Sequence, residues 1–381
     1  MNCFYILIEM SKIMDLILNV YDMFMESSEF SSDKIEKLKR ANERLLINDK
    51  SNDPRDRNII FVYCPPKVGS TSLVSSLRLF GYERYNVLHI HNESILKVLY
   101  NIDVTINELI KYNSLLGKNV YVIDIYRSPI EQKISIFFEK LEKFHFNNSV
   151  ENMEKIPIEK LITRFNNLFV HLGDNDYYRN EYNITYPESF NFEKKYIIKN
   201  MGNIQYIKLR LQDSSSYWRT ILRAVLNIDV VIVHDYETAD KPVKNIFKRF
   251  MDSYRIPENL LEHVKQSNDF SYYNSSSESV AYLNLWKRKM TSAHNCYSID
   301  EYNLYLNISG ENQYMSEIQR DHYIDNGCNC NGCKKKRFHI RERIKRGENI
   351  TTKIKHEEIK EKKIKIFQKQ MVNKVVMRMR I

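Results

Sequence analysis

The chain has 381 residues, 43% hydrophobic, 12% aromatic and 28% charged, which excludes a disordered or collagen-like polypeptide and allows one large or two modest domains. Its net charge of +10 is unevenly held: residues 334–381 contain 18 Lys and Arg against 5 Asp and Glu, so the other 333 residues carry −3. A uniformly basic nucleic-acid-binding body is thereby excluded, and a near-neutral body with a cationic tail is left.

Residues 3–25 are apolar but broken by Glu9, Lys12, Asp15 and Asp22, well short of the roughly 20 apolar residues a membrane span needs. Ile6, Met10, Ile13, Leu16, Ile17, Val20 and Phe24 recur at helical spacing and predict an amphipathic helix packing on the body. With no transmembrane segment and no cleavable signal in evidence, a cytoplasmic, soluble protein is expected. Six cysteines, of which only Cys3 and Cys64 precede residue 290, make no disulfide framework and point to free thiols in a reducing compartment.

A helical lead (1–57), polar, charged and partly helical over 27–57, precedes the continuous apolar run 58–64, the pattern of a strand buried on both faces. Residues 70–80 then carry helical spacing, closed by Gly81. Two further units follow: a strand at 85–90 with helix over 93–116, and a strand at 119–126 with a helix entered through Ser128 and Pro129. Ser128 and Glu131 have the spacing of a capping box, and Pro129 suits a first helical turn. Weaker strands at 205–209 and 229–234, with helices at 215–226 and 243–254, complete the α/β pattern. The predicted fold is a three-layer α/β sandwich with a central parallel sheet over 58–265. Beyond it lie an Asn/Ser/Tyr-rich extension (266–333) with one good helix at 277–290, and a basic helical tail (334–381).

The loop between the first strand and helix reads Pro65-Pro66-Lys67-Val68-Gly69-Ser70-Thr71-Ser72. Backbone N–H groups opening a helix, three consecutive hydroxyls and a Lys make an anion site of phosphate size, with Gly69 allowing close backbone approach. It is not a Walker A loop, because Lys67 precedes Gly69. Asp124 on the third strand imitates a Walker B acid, but nothing completes a magnesium site, and no metal is expected. That strand ends at Arg127, and Ser135 follows eight residues later, so guanidinium and hydroxyl can converge on a second phosphate. Both loops fall at the C-terminal edge of a parallel sheet, where ligands bind.

The two motifs, PKVGSTS and RSPIEQKIS, resemble those of the sulfotransferases that use 3′-phosphoadenosine 5′-phosphosulfate, with a flavour closest to the carbohydrate enzymes of the uronyl 2-O type. The resemblance covers residues 58–140 clearly and continues more weakly to about 265. It implies that Lys67, Val68, Gly69, Ser70, Thr71 and Ser72 hold the 5′-phosphosulfate of this co-substrate and Arg127 with Ser135 the 3′-phosphate. It also implies that Lys67 stabilises the departing phosphate and that a His or Glu takes the proton of the acceptor hydroxyl; His91, His89 and Glu93, at and just after the end of the second strand, are the candidates. Period-two alternation puts both histidines on one face, with His91 nearest the C-terminal end and favoured as the base. The implied acceptor is a carbohydrate.

Other features stay open. Arg210 either binds a ligand or pairs with Asp213, and His234 with Asp235 is equally ambiguous. Cys328, Cys330 and Cys333, with His322 and His339 nearby, have poor zinc spacing. Frequent Lys, Asn, Ile and Tyr point to an AT-rich genome, viral or protist. The rival functions are a P-loop-type nucleotide or sugar kinase and a non-enzymatic polyanion-binding protein acting through the tail.

Overall fold

The computed structural model describes residues 30–50, 53–139, 149–173, 176–233 and 242–293, with parts of 141–146, 298–303 and 338–348. The predicted N-terminal helix, His234 with Asp235, the cysteine cluster with His322 and His339, and most of the basic tail lie outside the described residues.

The sheet comprises β1 (Asn58–Tyr63), β2 (Asn86–Ile90), β3 (Asn119–Tyr126), β4 (Tyr196–Met201) and β5 (Ile204–Arg210). Its order is β2-β1-β3-β5-β4, parallel except for the β4·β5 pair. The main helices are α1 (Ser32–Arg44), α2 (Ser70–Phe80), α3 (Ile95–Tyr100), α4 (Ile106–Leu115), α5 (Pro129–Phe137), α6 (Ile158–Leu168), α7 (Trp218–Leu226), α8 (Lys244–Ser253), α9 (Glu258–Lys265), α10 (Asn268–Tyr273) and α11 (Ser276–Lys287).

Alternation along β1 explains its unbroken apolar sequence. Ile59, Phe61 and Tyr63 pack with Leu38 and Ala41 of α1 and Leu109 and Ile110 of α4. Ile60, Val62 and Cys64 pack with Leu73, Val74 and Leu77 of α2 and Trp218, Ile221 and Leu222 of α7. Both faces are therefore dry, as parallel strands require. A third apolar cluster joins Phe137 of α5, Phe165 of α6, Phe250 of α8, Leu261 of α9 and Trp286 of α11.

Several expectations need correction. The helix over 93–116 is two helices, because Asn101 takes a left-handed conformation (φ 54°) and Thr105 with Glu108 forms a reciprocal capping box that starts α4. Ser128 makes no side-chain cap to α5, since Glu131 is drawn to the Tyr282 hydroxyl at 2.6 Å and Trp286 Nε1 at 3.1 Å. Residues 229–233 form no strand; Val233 N–H donates to Ser76 Oγ at 2.9 Å instead. The antiparallel edge strand β4 was not foreseen. Packing also continues past residue 265: Tyr273 is fully buried, and Glu278 on α11 pairs with Arg210 of β5. No helix among the described residues is long and apolar enough to cross a membrane.

Candidate functional site

The chain runs from β1 outward to β2 and then crosses to β3 on the other side of β1. The loops leaving β1 and β3 therefore diverge at a topological switch point, the place where open α/β sheets bind ligands. The loop after β1 turns sharply through two left-handed residues, Lys67 (φ 64°) and Gly69 (φ 90°). Gly69 is the N-cap of α2 and makes no side-chain cap to its first turn, which opens at Ser70. A Cβ on Gly69 would meet Leu211 Cδ1 at 2.5 Å. Its own backbone angle and Leu211 thus already require a glycine here.

The segment after β3 grips this loop. Arg127 Nη1 donates to Lys67 O at 2.7 Å and Gln132 Nε2 donates to Pro66 O at 3.2 Å. Ser135 lies buried two turns along α5. One turn further, Glu139 Oε2 sits 2.5 Å from Lys67 Nζ, a contact absent from the sequence-based reading. The sequence carried no local signal for it, because Glu139 falls past the end of α5 and its partner belongs to another loop.

The second strand brings its histidines to the same loop. His91 Nδ1 lies 2.6 Å from Cys64 O. A carbonyl only accepts, so Nδ1 carries the proton and Nε2 keeps the lone pair in the neutral ring. Burial first, then the nearby Lys67 charge, holds the His91 pKa below its ordinary value, with Cys64 O and Glu139 opposing. His89 Nε2 is 2.9 Å from Ser70 Oγ, and the two imidazoles meet edge to face at 4.5 Å. Glu93 has both oxygens engaged, accepting from the Tyr63 hydroxyl and from Asn107 N–H. That arrangement suits a brace between β1, β2 and α4.

Next to Arg127 a cavity of about 420 Å³ opens at the C-terminal ends of β3 and β5, with Gln132, Lys133, Asp176, Lys208 and His263 among its walls. Lys208 Nζ bridges Asp124 Oδ2 (2.7 Å) and Asp176 Oδ1 (2.6 Å), and Tyr273 donates to Asp176 Oδ2 at 2.5 Å. Two carboxylates and one ammonium, all buried, leave an excess negative charge. Desolvation, outweighing Lys208 and assisted by Asp176, pushes Asp124 up to about 7. Its carboxyl also accepts from Ile125 N–H and Tyr178 N–H, which leaves it turned inward. Arg210 is likewise internal, held by Asp213, Glu278 and Tyr273 O. Of the two alternatives for Arg210, the ion pair is the one present.

No family model matches the chain, and no curated protein matches it.

Proposed function

We propose that the chain is a sulfotransferase that moves a sulfonate group from 3′-phosphoadenosine 5′-phosphosulfate to a hydroxyl, with a carbohydrate as acceptor. The observation that carries this reading is the hydrogen bond from Arg127 to Lys67 O, which ties the two phosphate-binding motifs together at one switch point. Lys67 and Arg127 supply positive charge, the first turn of α2 supplies backbone donors, and the adjoining cavity has the size of a small-molecule site.

The chemistry assigned to these residues is in-line transfer. The acceptor oxygen forms a bond to sulfur as the bond from sulfur to the bridging phosphate oxygen breaks. The hydroxyl proton passes to Nε2 of His91, and Lys67 neutralises the charge appearing on the departing phosphate. A neutral His91 with its lone pair on Nε2 suits the base role. His89 is engaged with Ser70 and Glu93 with Tyr63 and Asn107, which favours His91 over both.

The kinase alternative draws less support. Lys67 precedes Gly69, and the inward-turned Asp124 is fully buried among protein partners rather than facing the loop. The cationic tail would add a polyanion contact to either enzyme.

Thermal unfolding with adenosine 3′,5′-bisphosphate, against ATP with magnesium, tests the reading. At 100 times its dissociation constant a ligand adds about 2.7 kcal/mol, a shift of a few degrees. A shift with the bisphosphate that Arg127→Ala removes is expected. An equal or larger shift with ATP and magnesium, or none with the bisphosphate, would contradict it.

A further inference from the structure

Transfer chemistry gives no reason for a carboxylate beside Lys67. Phosphate binding gains from nearby cations and loses from a nearby anion, yet Glu139 Oε2 lies 2.5 Å from Lys67 Nζ. The pair is half-shielded, with side-chain exposures of 13% for Lys67 and 26% for Glu139, so it is neither a sealed internal bridge nor a solvated surface one. Glu131 is anchored to Tyr282 and Trp286, Ser135 is buried on the same helix, and the turn after α5, held by buried Phe138, carries Glu139 to the loop. On the loop side, Lys67 is fixed through its backbone, since Arg127 grips its carbonyl and φ is 64°. Only the ammonium end is left for Glu139 to direct.

We propose that Glu139 is a positioning residue for Lys67. It holds the ammonium at the mouth of the loop while no phosphate is bound, and yields it to an incoming phosphate. The carboxylate and the phosphate compete for one cation, so Glu139 weakens every anion and rejects those of low charge most strongly. Inorganic phosphate is thereby disfavoured relative to ligands that bring two phosphates. The inference rests on reading the loop as a phosphate site, the first part of the proposed function, but not on the nucleotide or on sulfonate transfer.

The test is calorimetric titration of the full chain with pyrophosphate and, separately, with adenosine 3′,5′-bisphosphate. Wild type, Glu139→Gln, Lys67→Ala and the double variant are compared, after their unliganded melting transitions establish that each is folded; Glu139→Ala replaces Glu139→Gln if the latter is not. Glu139→Gln is expected to bind both ligands about tenfold more tightly, a gain of about 1.4 kcal/mol. In the Lys67→Ala background the same change should gain less than about threefold, because the competition it relieves is gone. Equal gains in both backgrounds, or weaker binding by Glu139→Gln, would overturn the role, since a merely structural carboxylate has no reason to act through Lys67. If pyrophosphate shows the coupling while the bisphosphate binds no better than pyrophosphate, Glu139 keeps its role and the nucleotide reading falls. If the bisphosphate binds wild type well and Glu139→Gln gains nothing, the nucleotide reading stands and the role of Glu139 falls. No binding by any variant overturns both.

Discussion

The Lys208 cluster and the Lys67 cluster sit at the same edge of the sheet and use the same kinds of groups to different ends. Lys208 is 1% exposed and touches two buried carboxylates, which in turn accept from Tyr178 N–H, Ile125 N–H and the Tyr273 hydroxyl. Every charge there is committed to the fold. Lys67 is 13% exposed and meets the Glu139 carboxylate on the turn after α5, beside the uncapped start of α2. A charge met by a partly exposed partner can be handed to a ligand; a charge sealed among buried ones cannot. The comparison separates an ion cluster sealed in the fold from the half-shielded one that the proposed function assigns to ligand binding.

The sharpest way to break the comparison is to delete the cation from each cluster. Lys208→Met should leave Asp124 and Asp176 buried without their counter-charge and lower stability by about 3–5 kcal/mol in urea unfolding. Little loss would mean that the cluster is not the internal support described. Lys67→Ala should leave the unfolding midpoint within a few degrees and, under the proposed function, reduce sulfonate transfer about 100- to 1,000-fold, measured as bisphosphate release. A large stability loss with it would move Lys67 into the structural class.

A smaller effect belongs to Arg127. Its charge-assisted contacts are worth about 1.5–3 kcal/mol, so Arg127→Ala should weaken bisphosphate binding roughly 10- to 100-fold in calorimetry. Unchanged affinity would detach the β3 motif from the loop.

The smallest effects are in pH dependence. Asp124 binds a proton more readily folded, near pH 7, than unfolded, near its ordinary value of 3.8. Its contribution is fully present below about pH 4 and is lost as pH rises through about 7. Asp124→Asn should remove that decline from a stability-versus-pH curve. His91 runs the other way: its folded pKa lies below 6.5, so its contribution is present above 6.5 and lost as pH falls through the lowered value. If His91 is the base, turnover should fall along an acidic limb lying below pH 6.5, and His91→Asn should abolish that limb.

How much of this was legible in the sequence depended on distance along the chain. The elements β1, α2 and β3 emerged from long apolar runs with clear stops, and the loop and Arg127 motifs fell where the topology required. Two Ser/Thr-x-x-Glu patterns show where local reading ends. Thr105 and Glu108 form their capping box, whereas Glu131 leaves Ser128 for Tyr282 and Trp286, 151 and 155 residues further on. No local rule could rank the two. The edge strand β4 was hidden because it is only partly buried and ends in exposed Asn200 and Met201, so it lacks a continuous apolar signature. Glu139 was hidden because its partner lies across the sheet edge, on a different motif.

The most direct test of the central claim is hydrogen–deuterium exchange with and without saturating adenosine 3′,5′-bisphosphate. Ligand seated at the switch point should slow exchange in two separate segments, residues 66–73 and 127–136, and leave β4 unchanged. Protection elsewhere, or in neither segment, would contradict a phosphate site built from the Lys67 loop and Arg127.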